Sequence, residues 1–134
     1  MATALLSSEL RELYNSESAR IQQEFAAAGD GRQAVLRRAG LLDRVITRLY
    51  EKLLSPEAGA PGNFVLAAIG GYGRSWLFPY SDVDLLFLHA DRESEAQLKD
   101  RIRSFSQELW DLGIKLSPAS RTMAECDRFD PNNV

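Results

Sequence analysis

The stretch FVLAAIGGYGRSWLFPYSDVDLLFL, Phe64 to Leu88, contains two short apolar runs separated by a glycine-rich connection. Phe64 to Ile69 is nearly unbroken in its apolar character. Its length, and the Gly70-Gly71 pair that closes it, favour a buried strand over a helix. Val83 to Leu88 reads as a second buried strand, with one acid, Asp84, near its beginning. Two such strands in a chain that is otherwise helical in pattern predict an α/β (α+β) fold.

Working outward, Ser55 to Asn63 carries two Pro and two Gly and reads as a linker loop. Before it stand two helical stripes. Leu6, Leu10, Leu13, Ile21 and Phe25 form the first; Leu42, Val45, Ile46, Leu49 and Leu53 form the second. Gly29-Asp30-Gly31 separates them as a turn, and Gly40 weakens the second. After the second strand, Ser94 and Gln97 suggest a capping box. Leu98, Ile102, Phe105, Leu109 and Leu112 then recur at helical steps, and Gly113 is the expected stop. Ile114 to Ser120 is a candidate third strand that Pro118 confines to an edge. Thr122 and Glu125 suggest a capping box for a last helix ending near Asp130-Pro131. The expected organisation is a helical lead-in over 1–55 and a core over 64–134, together one domain. With only three strands visible, a chain truncated at its carboxyl end is expected.

The chain has 134 residues, 26% of them charged, and a net charge of −3. That balance argues against a footprint for duplex nucleic acid. It leaves room for a nucleotide triphosphate whose charge is met by metal ions. The single cysteine, Cys126, supports neither a disulfide framework nor a zinc set, which suits a cytoplasmic location. No apolar stretch approaches the roughly 20 residues needed to span a bilayer, so no membrane partner is expected.

Chemistry concentrates between Gly70 and Asp84. Glycines directly after a strand let a phosphate approach the backbone, with N–H groups turned toward its oxygens. A short helix beginning at Tyr72 or Gly73 adds a positive dipole end there, and Arg74 can reach an outer phosphate. Alone, a glycine pair is as well explained by a tight turn. Asp82 and Asp84 change the balance. At a spacing of two along a strand both carboxylates face one side, with Cα atoms roughly 6–7 Å apart. Two solvated edge acids would show the same spacing. However, a polar Asp84 inside an apolar run costs stability unless something pairs it. A hard cation such as Mg²⁺ suits two carboxylates, with phosphate and water completing its shell. A two-ion site would activate the attacking oxygen and stabilise the leaving pyrophosphate. Ser81 is either a turn residue after Pro79-Tyr80 or a phosphate contact.

The run Gly70-Gly71-Tyr72-Gly73-Arg74, followed by Leu77, Pro79-Tyr80-Ser81-Asp82 and Asp84-Leu85-Leu86, resembles the signature of the bacterial PII uridylyltransferase/uridylyl-removing enzymes. These are members of the polymerase-β-like nucleotidyltransferase superfamily. Leu109-Trp110-Asp111-Leu112-Gly113 and Ser120-Arg121-Thr122-Met123, with Glu125-Cys126, are also similar to that family. The resemblance implies a small mixed sheet of the nucleotidyltransferase type. It implies Gly70 and Gly71 at the phosphates, Asp82 and Asp84 on Mg²⁺, UTP as substrate, and a tyrosine hydroxyl of a PII-type signalling protein as acceptor. Two departures stand out. Ser75-Trp76-Leu77 replaces the family's usual Gly-Glu-Leu, and Ile114 to Arg121 lacks the third acid of many superfamily members, a lack the uridylyltransferases share.

The remaining candidates carry less. His89, the only histidine, is expected as a strand-terminal surface residue and cannot build the family's separate uridylyl-removing site. Trp110, Phe105 and Leu109 are expected in the core, and Cys126 as a buried, inert thiol. Arg121 is read equally as a phosphate neighbour or a helix-end ion pair. Two alternatives to uridylyl transfer remain open: a related transferase of the adenylyltransferase kind, or a silent nucleotide-binding module.

Overall fold

The computed structural model describes residues 2–60, 64–73 and 82–127. Helix α1 (Ala2–Ala28) and helix α2 (Gly31–Leu49) come first. The bend between them follows from its residues. Gly29 takes φ +71°, which side chains avoid. Asp30 then caps α2 by accepting from the Gln33 amide at 3.1 Å. The expected stripes form one apolar seam, with Leu6, Leu10, Ile21, Leu42, Val45, Ile46 and Leu49 all buried. Phe25 departs from it and is 40% exposed in the last turn before the bend.

α2 widens into a π turn, Tyr50–Leu54, followed by a 3-10 turn, Pro56–Ala58. Such a turn leaves carbonyls without helical partners. The Arg101 guanidinium donates to two carbonyls here, Leu53 O at 3.0 Å and Ala58 O at 3.2 Å. The expected linker is therefore partly structured up to Ala60, and residues 61–63 lie outside the described residues.

Strand β1 (Phe64–Ile69) runs into a single turn of helix, α3 (Gly70–Gly73). This turn begins at Gly70, ahead of the expected Tyr72 or Gly73. Then come β2 (Val83–His89), α4 (Arg92–Asp111), β3 (Leu116–Thr122) and α5 (Met123–Asp127). The sheet order is β1-β2-β3. β1 is antiparallel to β2, while β3 is parallel to it, so the sheet is mixed as expected. Pro118 sits in the edge strand β3, where its missing N–H is tolerated.

One strand expectation needs correction. β1 is an edge strand rather than a buried one, with Val65 59% and Ile69 40% exposed. An apolar run alone does not distinguish a covered strand from an edge whose outer face is open. β2 is central, and its residues alternate between buried and half-buried along its length. Val83, Leu85, Phe87 and His89 face the helices. Asp84, Leu86 and Leu88 face the other way.

α4 also starts earlier than its sequence suggests. Its cap is Asp91, which accepts from the Ser94 amide at 2.8 Å, so Ser94 is the third helical residue rather than the cap. Leu98, Phe105 and Leu109 are fully buried beneath the sheet. The rings of Phe105 and Phe87 meet edge-on at 5.9 Å. The capping box opening α5 forms as expected. The Thr122 amide donates to Glu125 Oε1 at 3.1 Å, and the Glu125 amide donates to Thr122 Oγ1 at 3.3 Å. The expected end of that helix near Asp130-Pro131 lies outside the described residues.

Candidate active site

The sheet register decides where the acids go. Ile69, the last residue of β1, pairs with Asp84 on β2. The next residue, Gly70, therefore turns the chain directly beside the Asp84 carboxylate. Gly70 has φ +65°, and a Cβ there would lie 2.7 Å from Asp84 Oδ2. Any side chain at position 70 would displace the acid. Gly73 is restricted from the other side, since a Cβ there would lie 2.8 Å from the Ala68 carbonyl oxygen. The first constraint makes close approach between turn and carboxylate a built feature of the fold. The second folds the turn back onto its own strand.

Asp84 is half-buried, and Asp82 is exposed immediately before β2. Asp84 lies on the face of β2 opposite the buried Val83, Leu85 and Phe87, and Asp82 stands one residue before the strand. Among the described residues neither acid has an ion pair or a hydrogen bond. Two carboxylates held close to one another repel, most strongly where solvent is excluded. That repulsion is what a cation between them would relieve. Across from Asp84 on β3 stands Ser117, so the adjacent strand offers a hydroxyl rather than an acid. No group of three or more potential metal ligands occurs among the described residues. The donor set is thus two carboxylates open to solvent. It fits Mg²⁺, which keeps several waters and is commonly held by one or two carboxylates plus phosphate.

The turn also has a rear anchor that the sequence did not reveal. Tyr72 is buried, and its hydroxyl donates to Asp43 Oδ1 on α2 at 2.5 Å. Burial and the neighbouring carboxylate both push its ionisation far above the ordinary tyrosine range, so it stays a donor. Nothing local signals this pair, because the two residues are 29 positions apart.

Of the other sequence-derived site residues, Gly71 lies half-buried in the same turn. Arg74 and Ser81 lie outside the described residues, as does Trp76. Arg121 is exposed and donates to the Ser120 carbonyl at 2.8 Å, with no ion pair among the described residues.

Three expectations are overturned. His89 is fully buried, with its ring stacked near Phe64 at 6.1 Å and both nitrogens unpartnered. Its position on the helix-facing side of β2 takes it into the core. Trp110 is 45% exposed, its indole N–H reaching Leu116 O at 3.3 Å. It falls off the Leu98–Phe105–Leu109 stripe and lies across the helix end. Cys126 is exposed, on the single turn of α5.

A mixed three-stranded sheet, a glycine turn closing its first strand, and paired acids entering its second define the class of a nucleotidyltransferase. The family described as "Putative nucleotidyltransferase DUF294" matches residues 16–131, and the chain belongs to that family. Curated relatives carry the name bifunctional uridylyltransferase/uridylyl-removing enzyme. The one from Pseudomonas putida strain F1 is 36% identical over 79% of this chain and 11% of its own length. That from Ralstonia nicotianae is 31% identical over 93% of this chain and 14% of its own length. That from Burkholderia orbicola is 42% identical over 64% of this chain and 9% of its own length. The chain therefore spans only about a tenth of the curated relatives it matches. No solved structure gives a significant match. Among the described residues no helix is long and apolar enough to cross a membrane.

Proposed function

We propose that the chain is the nucleotide- and metal-binding part of an enzyme that transfers UMP from UTP to a tyrosine hydroxyl of a PII-type signalling protein. Asp82 and Asp84 hold Mg²⁺. The amides of Gly70 and Gly71 receive the triphosphate, with Arg74 and Ser81 as further contacts. The bound metal supplies charge neutralisation at the phosphates and a lower barrier to displacement at the α-phosphorus. The protein's own part is to hold the triphosphate against the turn, with the carboxylates fixed on one side of it. The observation that supports this reading most is the close approach of Gly70 to Asp84, where a Cβ would lie 2.7 Å from Oδ2. The curated relatives' name supports uridylyl as the group transferred. Cytoplasmic location and a role in nitrogen regulation follow from the same reading.

The test is calorimetric binding of UTP with and without Mg²⁺, together with pyrophosphate release in the presence of a PII-type protein. Asp84→Asn is expected to lower transfer about a hundredfold or more, equivalent to ~3 kcal/mol of lost charge stabilisation. A full-length protein that binds no UTP, with Asp84→Asn changing nothing, would sink the reading. ATP, GTP and CTP in the same assay decide whether uracil is the base preferred. A second reading, a module that binds nucleotide without transferring it, draws on Ser117 standing opposite Asp84 in place of an acid. It predicts binding without pyrophosphate release.

A further inference from the structure

We propose that Asp43 and Tyr72 are positioning residues, a tether that holds the Gly70–Gly73 turn in the geometry needed to receive the triphosphate. The inference rests on the nucleotide-binding reading above and assigns it a control point on α2, away from the open face. The turn has few means of staying in place. Three of its four residues are glycines, which have no side chain to pack. Gly70 and Gly73 are exposed. Tyr72 is thus the turn's one side-chain anchor.

Packing of the ring alone is a loose hold. A groove of about 430 Å³, lined by Ile46, Tyr50, Phe64, Leu66, Tyr72 and Leu85, opens along its flank. A phenylalanine would satisfy the apolar contacts equally well. The hydroxyl adds a direction, because a buried O–H requires a partner. Here that partner is a carboxylate, and hydrogen bonds to charged acceptors are shorter and stronger than neutral ones. Asp43 sits on a helix fixed by Leu42, Val45 and Ile46 in the main core. The bond therefore ties a glycine-rich turn to a helix packed in the main core. On the front, the turn meets Asp84 with no room for a Cβ. When a cation and a triphosphate draw on Asp84, the rear tether keeps the glycine amides from following.

Tyr72→Phe and Asp43→Leu remove the bond from either side, and Asp43→Asn retains an acceptor. All are assayed well below their melting temperatures, so a general loss of stability does not register. With Mg²⁺, UTP and a PII-type acceptor protein present, each disruptive variant is expected to slow pyrophosphate release about tenfold, since misplacement of the triphosphate is costly in such sites. The double variant should lose no more than either single one, because both remove one interaction. Asp43→Asn should keep most of the activity. Wild-type kcat and KM in Tyr72→Phe would overturn the tether, as would losses that multiply in the double variant. A wild-type protein that binds no UTP would remove the transferase reading and this inference together. Normal wild-type binding with an indifferent Tyr72→Phe would remove the tether alone.

Discussion

At the scale of single residues, Gly70 carries two separable constraints. One is its backbone, held at φ +65°, which costs a non-glycine residue about 1–2 kcal/mol. The other is its neighbour, since a Cβ there would press on Asp84 Oδ2. Gly29 provides the control, with φ +71° but nothing within 4 Å of its Cβ position. Gly70→Ala and Gly29→Ala should therefore lower the melting temperature by similar amounts, a few degrees each. Only Gly70→Ala should also weaken Mg²⁺-dependent UTP binding, because only there is the carboxylate pushed aside. Equal UTP affinities in the two variants, read by calorimetry, would count against the close approach as a functional feature.

At the scale of elements, α4 shows how much the hydrophobic pattern can say. Leu98, Phe105 and Leu109 were legible as one stripe, and all three are fully buried against the sheet. Phe105→Ala should cost about 3–5 kcal/mol, a cavity beneath Phe87 that the rigid sheet cannot collapse to fill. Thermal or denaturant unfolding measures it, and a loss below ~1 kcal/mol would mean the helix packs elsewhere. The strands' residues were equally legible. What escaped were properties that depend on tertiary neighbours. β1 has the composition of a covered strand, yet it lies at an edge, because composition does not encode strand order. His89 stands where a strand ends, yet the period of two turns it inward beside Phe64. Asp43 shows no motif at all; its role exists only because Tyr72 reaches it across 29 residues.

At the scale of the whole molecule, the helices and the proposed chemistry occupy opposite faces of one sheet, and His89 connects the helix side to solvent pH. Burial lowers its pKa below the ordinary 6.5, and the attraction of the Glu95 carboxylate opposes that shift only in part. A folded state that resists protonation binds fewer protons than the unfolded chain at mildly acidic pH. Stability therefore rises with pH across that window. It is complete above 6.5 and is lost as pH falls from 6.5 toward the folded-state value. One such group gives a slope of at most about 1.4 kcal/mol per pH unit. The caps act in a different window. Asp91 and Glu125 have pKa values lowered by the amides they accept from, so their contribution is lost only at more acidic pH, below their ordinary 3.8 and 4.5. Denaturant unfolding between pH 8 and 5 should show wild-type stability declining below about 6.5. His89→Leu keeps the apolar packing near Phe64 without the titrating ring, and should flatten that decline. If both proteins weaken in parallel over this range, the acid sensitivity comes from elsewhere, and the ring at position 89 takes up protons equally in the folded and unfolded chains.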